Sequence, residues 1–216
     1  MANQQQSVYL NHIAEIYLYE YYIAGDQPYE VASGDRLYAH LRQGRVWMLE
    51  KDYQKALEEL LSAFDLNPVC MEAISGIITC HKQLRHLQEA FEYTGKMYQY
   101  CCTRSELAAY YRNLGWYYLE IYEPDVAVAC YQYSNLFEQS QQSETEIRFL
   151  EAALKKTYEK MEIEQLQRIL SENEIPLKAN SVTLALVYQA GKEAYEIGNR
   201  VQAHDCFCMV YDLTQD

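Results

Sequence analysis

Glycine and proline are scarce, 8 and 4 among 216 residues. Strands joined by tight turns draw on both, so their scarcity argues against a sandwich or barrel and for helices with short connections. Positive charge is also short: 18 Lys and Arg stand against 31 Asp and Glu, for a net charge of −13. A field of that sign repels a phosphate backbone or an anionic bilayer, so neither nucleic acid nor a membrane is expected as a partner. No apolar run reaches the 18 residues of a candidate membrane span. Residues 1–35 hold neither Lys nor Arg, so the basic start of a secretory leader is missing and the expected compartment is the cytoplasm. Seven cysteines, an odd number, fit that compartment as reduced thiols. Apolar residues still make up 50% of the chain. A chain of this size removes roughly 70% of its unfolded surface from water, enough for a core without disulfides or metal.

What is present is a repeating frame. Ala56 is followed by Leu60, Ala63 and Pro68, a spacing that stacks small and large residues on one helix face. The frame recurs at Ala90, Thr94 and Met97, at Ala127, Tyr131 and Ser134, and at Ala203, Phe207 and Val210. Twelve residues before these four alanines stand Gly44, Ile78, Gly115 and Gly191, three of them glycines where paired helices can approach closely. On these residues the chain resembles the tetratricopeptide repeat (TPR) family. The third unit fits best, with Tyr111, Leu114, Gly115 and Tyr118 on its first helix. The resemblance implies an all-α fold, a right-handed superhelical solenoid of antiparallel helix pairs with about ten or eleven helices, over residues 36–216. Within it, 145–178 reads as a degenerate pair: Ile147, Leu150, Leu154 and Tyr158 are spaced for one helix, and Ile163, Leu166, Ile169 and Leu170 for another that ends before Pro176.

Residues 1–35 fall outside the frame. Ser7 is expected to cap a helix over about 8–24 that carries Ile13, Ile16, Tyr17, Tyr21 and Tyr22 and closes at Gly25, with 25–35 a loop. One role for this segment is a lid over the open edge of the first repeat. The other is a self-association or docking helix, favoured by its tyrosines, which combine contact area with a polar tip.

Chemistry-bearing groupings are few. A phosphate loop, a His-Glu-x-x-His pair, a nucleophile elbow and a calcium loop are all missing. Cys80-His81 with His86, Cys101-Cys102, and Cys206-Phe-Cys208 alone have metal-ligand chemistry. Helical residues one or two apart point in different directions and do not close a tetrahedral site together. His81 also falls where the TPR family places an aromatic between paired helices, which suits a packed histidine. No metal, no cofactor and no catalytic constellation is expected, and the chain is not read as an enzyme.

In TPR proteins four positions of each first helix line a concave groove. Carried over by frame, they hold Tyr38, Leu41, Arg45 and Met48, then Glu72, Ser75, Thr79 and Lys82. The third unit supplies Ala109, Arg112, Trp116 and Leu119, and the last Ala185, Tyr188, Lys192 and Tyr195. Tyr38, Arg45, Lys82, Arg112, Trp116, Tyr188, Lys192 and Tyr195 are therefore the candidate partner-binding residues, an aromatic-lined positive channel inside an acidic shell. Such a channel would hold a protein or peptide of acidic character. The alternative is that these cations stay solvated and pair with neighbours such as Glu72 and Glu120. The family's chaperone-binding clamp is not matched, since Leu41, Arg45, Gly76, Ala109 and Asn113 stand at its places. Two further readings remain open: a structural subunit that forms homo-oligomers through its terminal helices, and a small-molecule sensing or catalytic protein using the concave face.

Overall fold

The computed structural model describes residues 6–215, and among them eleven α-helices carry most of the chain. Four helix pairs share one design. Helix α2 (Arg36–Leu49) turns into α3 (Tyr53–Leu66), α4 (Met71–Gln83) into α5 (Leu87–Tyr100), α6 (Arg104–Glu120) into α7 (Pro124–Ser134), and α10 (Ser181–Glu196) into α11 (Arg200–Thr214). In each three-residue turn the middle residue is left-handed: Lys51, Arg85, Tyr122 and Gly198 have φ of 61, 62, 66 and 81°. The next residue returns its backbone N–H to a carbonyl five residues back, Asp52 to Trp47, His86 to His81, Glu123 to Tyr118 and Asn199 to Ala194, at 2.8–3.0 Å. This Schellman closure satisfies carbonyls that the helix end would otherwise leave bare. The same residue is the N-cap of the following helix, and the Asp52 and Asn199 side chains accept from the Lys55 and Gln202 N–H groups.

The pairs come together where a small residue faces a large one. A Cβ on Gly115 would stand 2.9 Å from Tyr131 Cε1, closer than carbon atoms pack, so the Tyr131 ring occupies the space that a side chain on α6 would need. Leu60 does the same for two helices at once, with its Cγ and Cδ1 each 2.8 Å from the Cβ positions of Gly44 and Gly76 respectively. Gly76 thus supplies the small contact between the first pair and the second, where α4 meets α3, and Ile78, at the frame position, is buried in the largest core cluster.

The stretch 145–178 contains two helices, α8 (Gln141–Leu154) and α9 (Ile163–Glu172). Both pack chiefly against α7, and no short turn closes them into a hairpin. Tyr158, expected on the first of them, lies in the connecting segment. Leu150 joins a cluster around Tyr131, whereas Leu166 and Leu170 enter the main core. Tyrosine hydroxyls then pin the chain after α9: Tyr111, Tyr133 and Tyr98 donate to the carbonyls of Pro176, Leu177 and Lys178 at 2.7, 2.9 and 3.1 Å.

The beginning of the chain differs from the expectation. Ser7 lies in a short strand, β1 (Gln6–Val8), which pairs in parallel with β2 (Tyr29–Val31) inside the expected loop. Val8 and Leu10 are both buried around a half-buried Tyr9, an alternation that fits extended chain and not helix. Helix α1 (Ile13–Tyr19) starts later, capped by His12, whose Nδ1 accepts from the Ala14 N–H at 3.1 Å, and runs on as a π-helical turn to Ala24. Its Ile13 and Ala14 pack on Val187, Ala190 and Ala194 of α10, and the Tyr17 hydroxyl bonds Glu193. Tyr9 N–H donates to the Leu66 carbonyl at 2.9 Å, and Asn67 Nδ2 donates to Glu15 at 3.2 Å. The segment is thereby tied to the α3–α4 corner and to the last pair, with its main contacts there and not over α2. No helix among the described residues is long and apolar enough to cross a membrane.

Gly115→Leu should destabilise the protein by roughly 2 kcal/mol or more, because overpacking must displace Tyr131 or push α6 from α7. Urea unfolding followed by the helical circular dichroism signal measures it, and an unchanged midpoint would contradict the close approach. Replacing Tyr131 by Leu in the same chain should recover part of the loss.

Candidate functional site

Three helices bound a cleft of about 360 Å³. Its walls follow from helical spacing: Thr79 and Lys82 share one face of α4, Trp116, Leu119 and Glu120 one face of α6, and Gln142, Glu146 and Phe149 one face of α8. Lys82 lies in the last turn of α4, immediately before the Schellman turn, which fixes where the helix stops and so where this amine enters the cleft. Its Nζ stands 5.2 Å from the centroid of the Trp116 ring and donates to Asn113 Oδ1 at 3.2 Å. No carboxylate bonds it among the described residues. Burial pushes the Lys82 pKa down to about 8; the Glu146 carboxylate opposes the drop, Arg112 adds to it, and Glu120 opposes it. An indole face compensates a desolvated ammonium only in part.

The candidate arginines, and Arg85 of the cleft wall, are spoken for. Arg45 pairs with Glu72 and Arg85 with Glu120, each at 2.5 Å, and Arg112 with Glu138 at 3.0 Å. Glu72 and Glu120 are the carboxylates that the sequence offered as neutralising neighbours. The cleft is therefore of mixed sign, with Lys82 and Glu146 as its charged groups outside these pairs. Two buried polar atoms beneath it make no hydrogen bond among the described residues, Arg112 Nη1 and Tyr131 Oη. Tyr131 is only 2% exposed and lies in the field of Glu146 and Glu120, which adds to burial in pushing its pKa well up.

Of the eight sequence-derived candidates, the cleft brings together Lys82 and Trp116. Arg112 lies beside Lys82, mostly buried. Tyr38 and Arg45 are exposed on α2. Tyr188, Lys192 and Tyr195 are exposed on α10, a helix whose main partners are α1 and α11. Frame mapping missed the α8 wall, because 145–178 had lost the repeat residues. A signal was present: Phe149 lies off the Ile147, Leu150, Leu154 stripe and is 65% exposed, an aromatic with no core to enter. A second concavity, of about 510 Å³, is shallow and formed mostly by residues 176–181 of one connection. Among the described residues no group of three or more His, Cys, Asp or Glu converges as a metal cluster.

The lysine gives a pH signature. Because the folded amine titrates near 8 and an ordinary one near 10.5, the unfolded chain holds more protons between those values. The burial penalty is fully present below pH 8 and is relieved as pH rises through that window. Lys82→Met should therefore stabilise the protein at neutral pH by up to about 3 kcal/mol, with the gain shrinking steadily toward pH 9.5. Urea unfolding of both proteins across that range is the check; a pH-independent difference would mean the amine is not desolvated.

Compared with known proteins, the chain matches no family model and no curated sequence.

Proposed function

We propose that this protein is a non-catalytic interaction module, a TPR-like right-handed solenoid of helix pairs, whose cleft between α4, α6 and α8 takes a peptide or partner helix. The observation that carries this reading is Lys82, a desolvated amine on an indole face with no carboxylate bonded to it among the described residues. Holding such a group in place is unfavourable in the free protein, and a ligand carboxylate would offset that. The Trp116 ring and exposed Phe149 supply apolar contact around the charge, and Glu146 faces a donor of the ligand. The four repeated turns and the small-on-large contacts support the repeat architecture. Seven free thiols accord with a cytoplasmic setting.

Self-association is the second reading. It is favoured by a run of exposed apolar side chains on the last pair, where Tyr195, Ile197, Val201 and Tyr211 are between 54 and 72% exposed. Sedimentation across a hundredfold concentration range separates the two, since a peptide-binding monomer keeps one mass.

An array of fluorescein-labelled peptides bearing Asp or Glu tests the first reading, with Trp116 emission followed in a Trp47→Phe background. Lys82→Glu should weaken the best peptide by about 2 kcal/mol or more, and this effect should shrink as salt is added. Trp116→Ala should weaken it by an amount that salt leaves unchanged. Binding should also fall as pH rises above about 8, where Lys82 loses its proton. A best peptide indifferent to Lys82→Glu would refute the assignment.

A further inference from the structure

The repeated turn joins the backbones of one pair of residues at the end of each first helix. The residue that offers the carbonyl and the one that returns the N–H are Trp47 and Asp52, Tyr118 and Glu123, and Ala194 and Asn199. In the α4–α5 turn both are histidines, His81 and His86. A Schellman closure commonly brings an apolar contact to this place; here two imidazoles meet with their Nδ1 atoms 3.3 Å apart, ring centroids 5.5 Å apart and planes at 48°.

That separation has a specific chemical meaning. Zinc binds imidazole nitrogen at about 2.0–2.1 Å, and two nitrogens 3.3 Å apart at that radius subtend an angle of about 107° at the metal, close to tetrahedral. We propose that His81 and His86 form a two-imidazole site for a divalent ion of the zinc type, with water completing its coordination. The pair is held before any ion arrives. The backbone closes on either side through His86 N–H to His81 O at 2.9 Å and Arg85 N–H to Lys82 O at 3.3 Å. The His81 ring lies against Tyr93, centroids 5.7 Å apart. His81 is buried whereas His86 is exposed, so the pair opens to solvent on one side. Glu89, on the first turn of α5, adds negative potential at His81. Cys80, the neighbour that sequence spacing suggested as a companion ligand, is fully buried in the cluster between α2, α3 and α4 and takes no part.

Sequence spacing groups the two histidines but conceals their contact. Five positions apart on one helix, the rings would point away from each other, and only the reversal at Arg85 turns them face to face. The competing explanation is a plain N–H···N hydrogen bond between two neutral rings.

Zinc chloride titrated calorimetrically into the full chain decides between them. The background should carry His204→Gln and Cys208→Ser, because His204 Nε2 and Cys208 Sγ stand 3.5 Å apart on the exposed face of α11 and could take zinc themselves. One ion per chain should bind, and the ring ¹⁵N resonances of His81 and His86 should shift together. His86→Gln, at an exposed position, should keep the helix content and lose at least tenfold in zinc affinity. His86→Cys, which keeps a ligand atom, should retain binding. Affinity of His86→Gln within twofold of the background, or unmoved ring resonances, would overturn the site and leave the hydrogen bond as the full account.

Discussion

The structure depends on how closely its helices can approach. Tyr131 over Gly115, and Leu60 between Gly44 and Gly76, set the distance between α6 and α7 and among α2, α3 and α4. Interiors are packed at crystal-like density, so one added methyl at such a point cannot be absorbed locally. The three-residue turn supplies the complementary constraint. With the last carbonyls of one helix satisfied and the N-cap of the next supplied by the same residue, α4 and α6 end at fixed points. Lys82 owes its location to both constraints, since the close approach fixes the helix axis and the turn fixes where the axis stops.

Charge is organised differently from what a net of −13 suggests. Most cations near the cleft are already paired with the nearest carboxylate, which leaves little long-range positive field for an acidic partner to feel. The cleft's selectivity rests instead on a single desolvated amine beside an indole, with Glu146 in its field. Recognition by one half-buried charge is short in range and demanding in geometry, whereas a basic patch is neither.

Tyrosine's abundance has a structural explanation for much of the chain. Tyr111 is fully buried and Tyr133 nearly so, and both reach carbonyls that no helix or strand could satisfy. Their hydroxyls fasten the segment after α9 to α6 and α7, while α1 fastens the last pair to the beginning of the chain. The N-terminal segment is thus part of the central packing, sharing its largest cluster with Ile74, Met97 and Tyr100.

Sequence alone determined the helical class, the four regular pairs and the glycines at their contacts, because these follow from a period of 3.6 and from residue size at fixed offsets. It placed Lys82 and Trp116 on facing helices for the same reason. Features made by chain reversal or by distant partners were decided only in three dimensions. Val8 and Leu10 fall at the start of the expected helix, yet the core holds them as extended chain with Val8 in β1, since two residues are too few for a period to declare itself. The ion pairs that neutralise the cleft join residues 26 to 35 positions apart, a separation set by how helices stack. Phe149 and Glu146 form a wall because α8 packs on α7 without repeat residues to announce it. The contact of His81 with His86 arises from a left-handed arginine, a conformation that side-chain spacing does not encode and that the packing of α4 on α5 makes worthwhile.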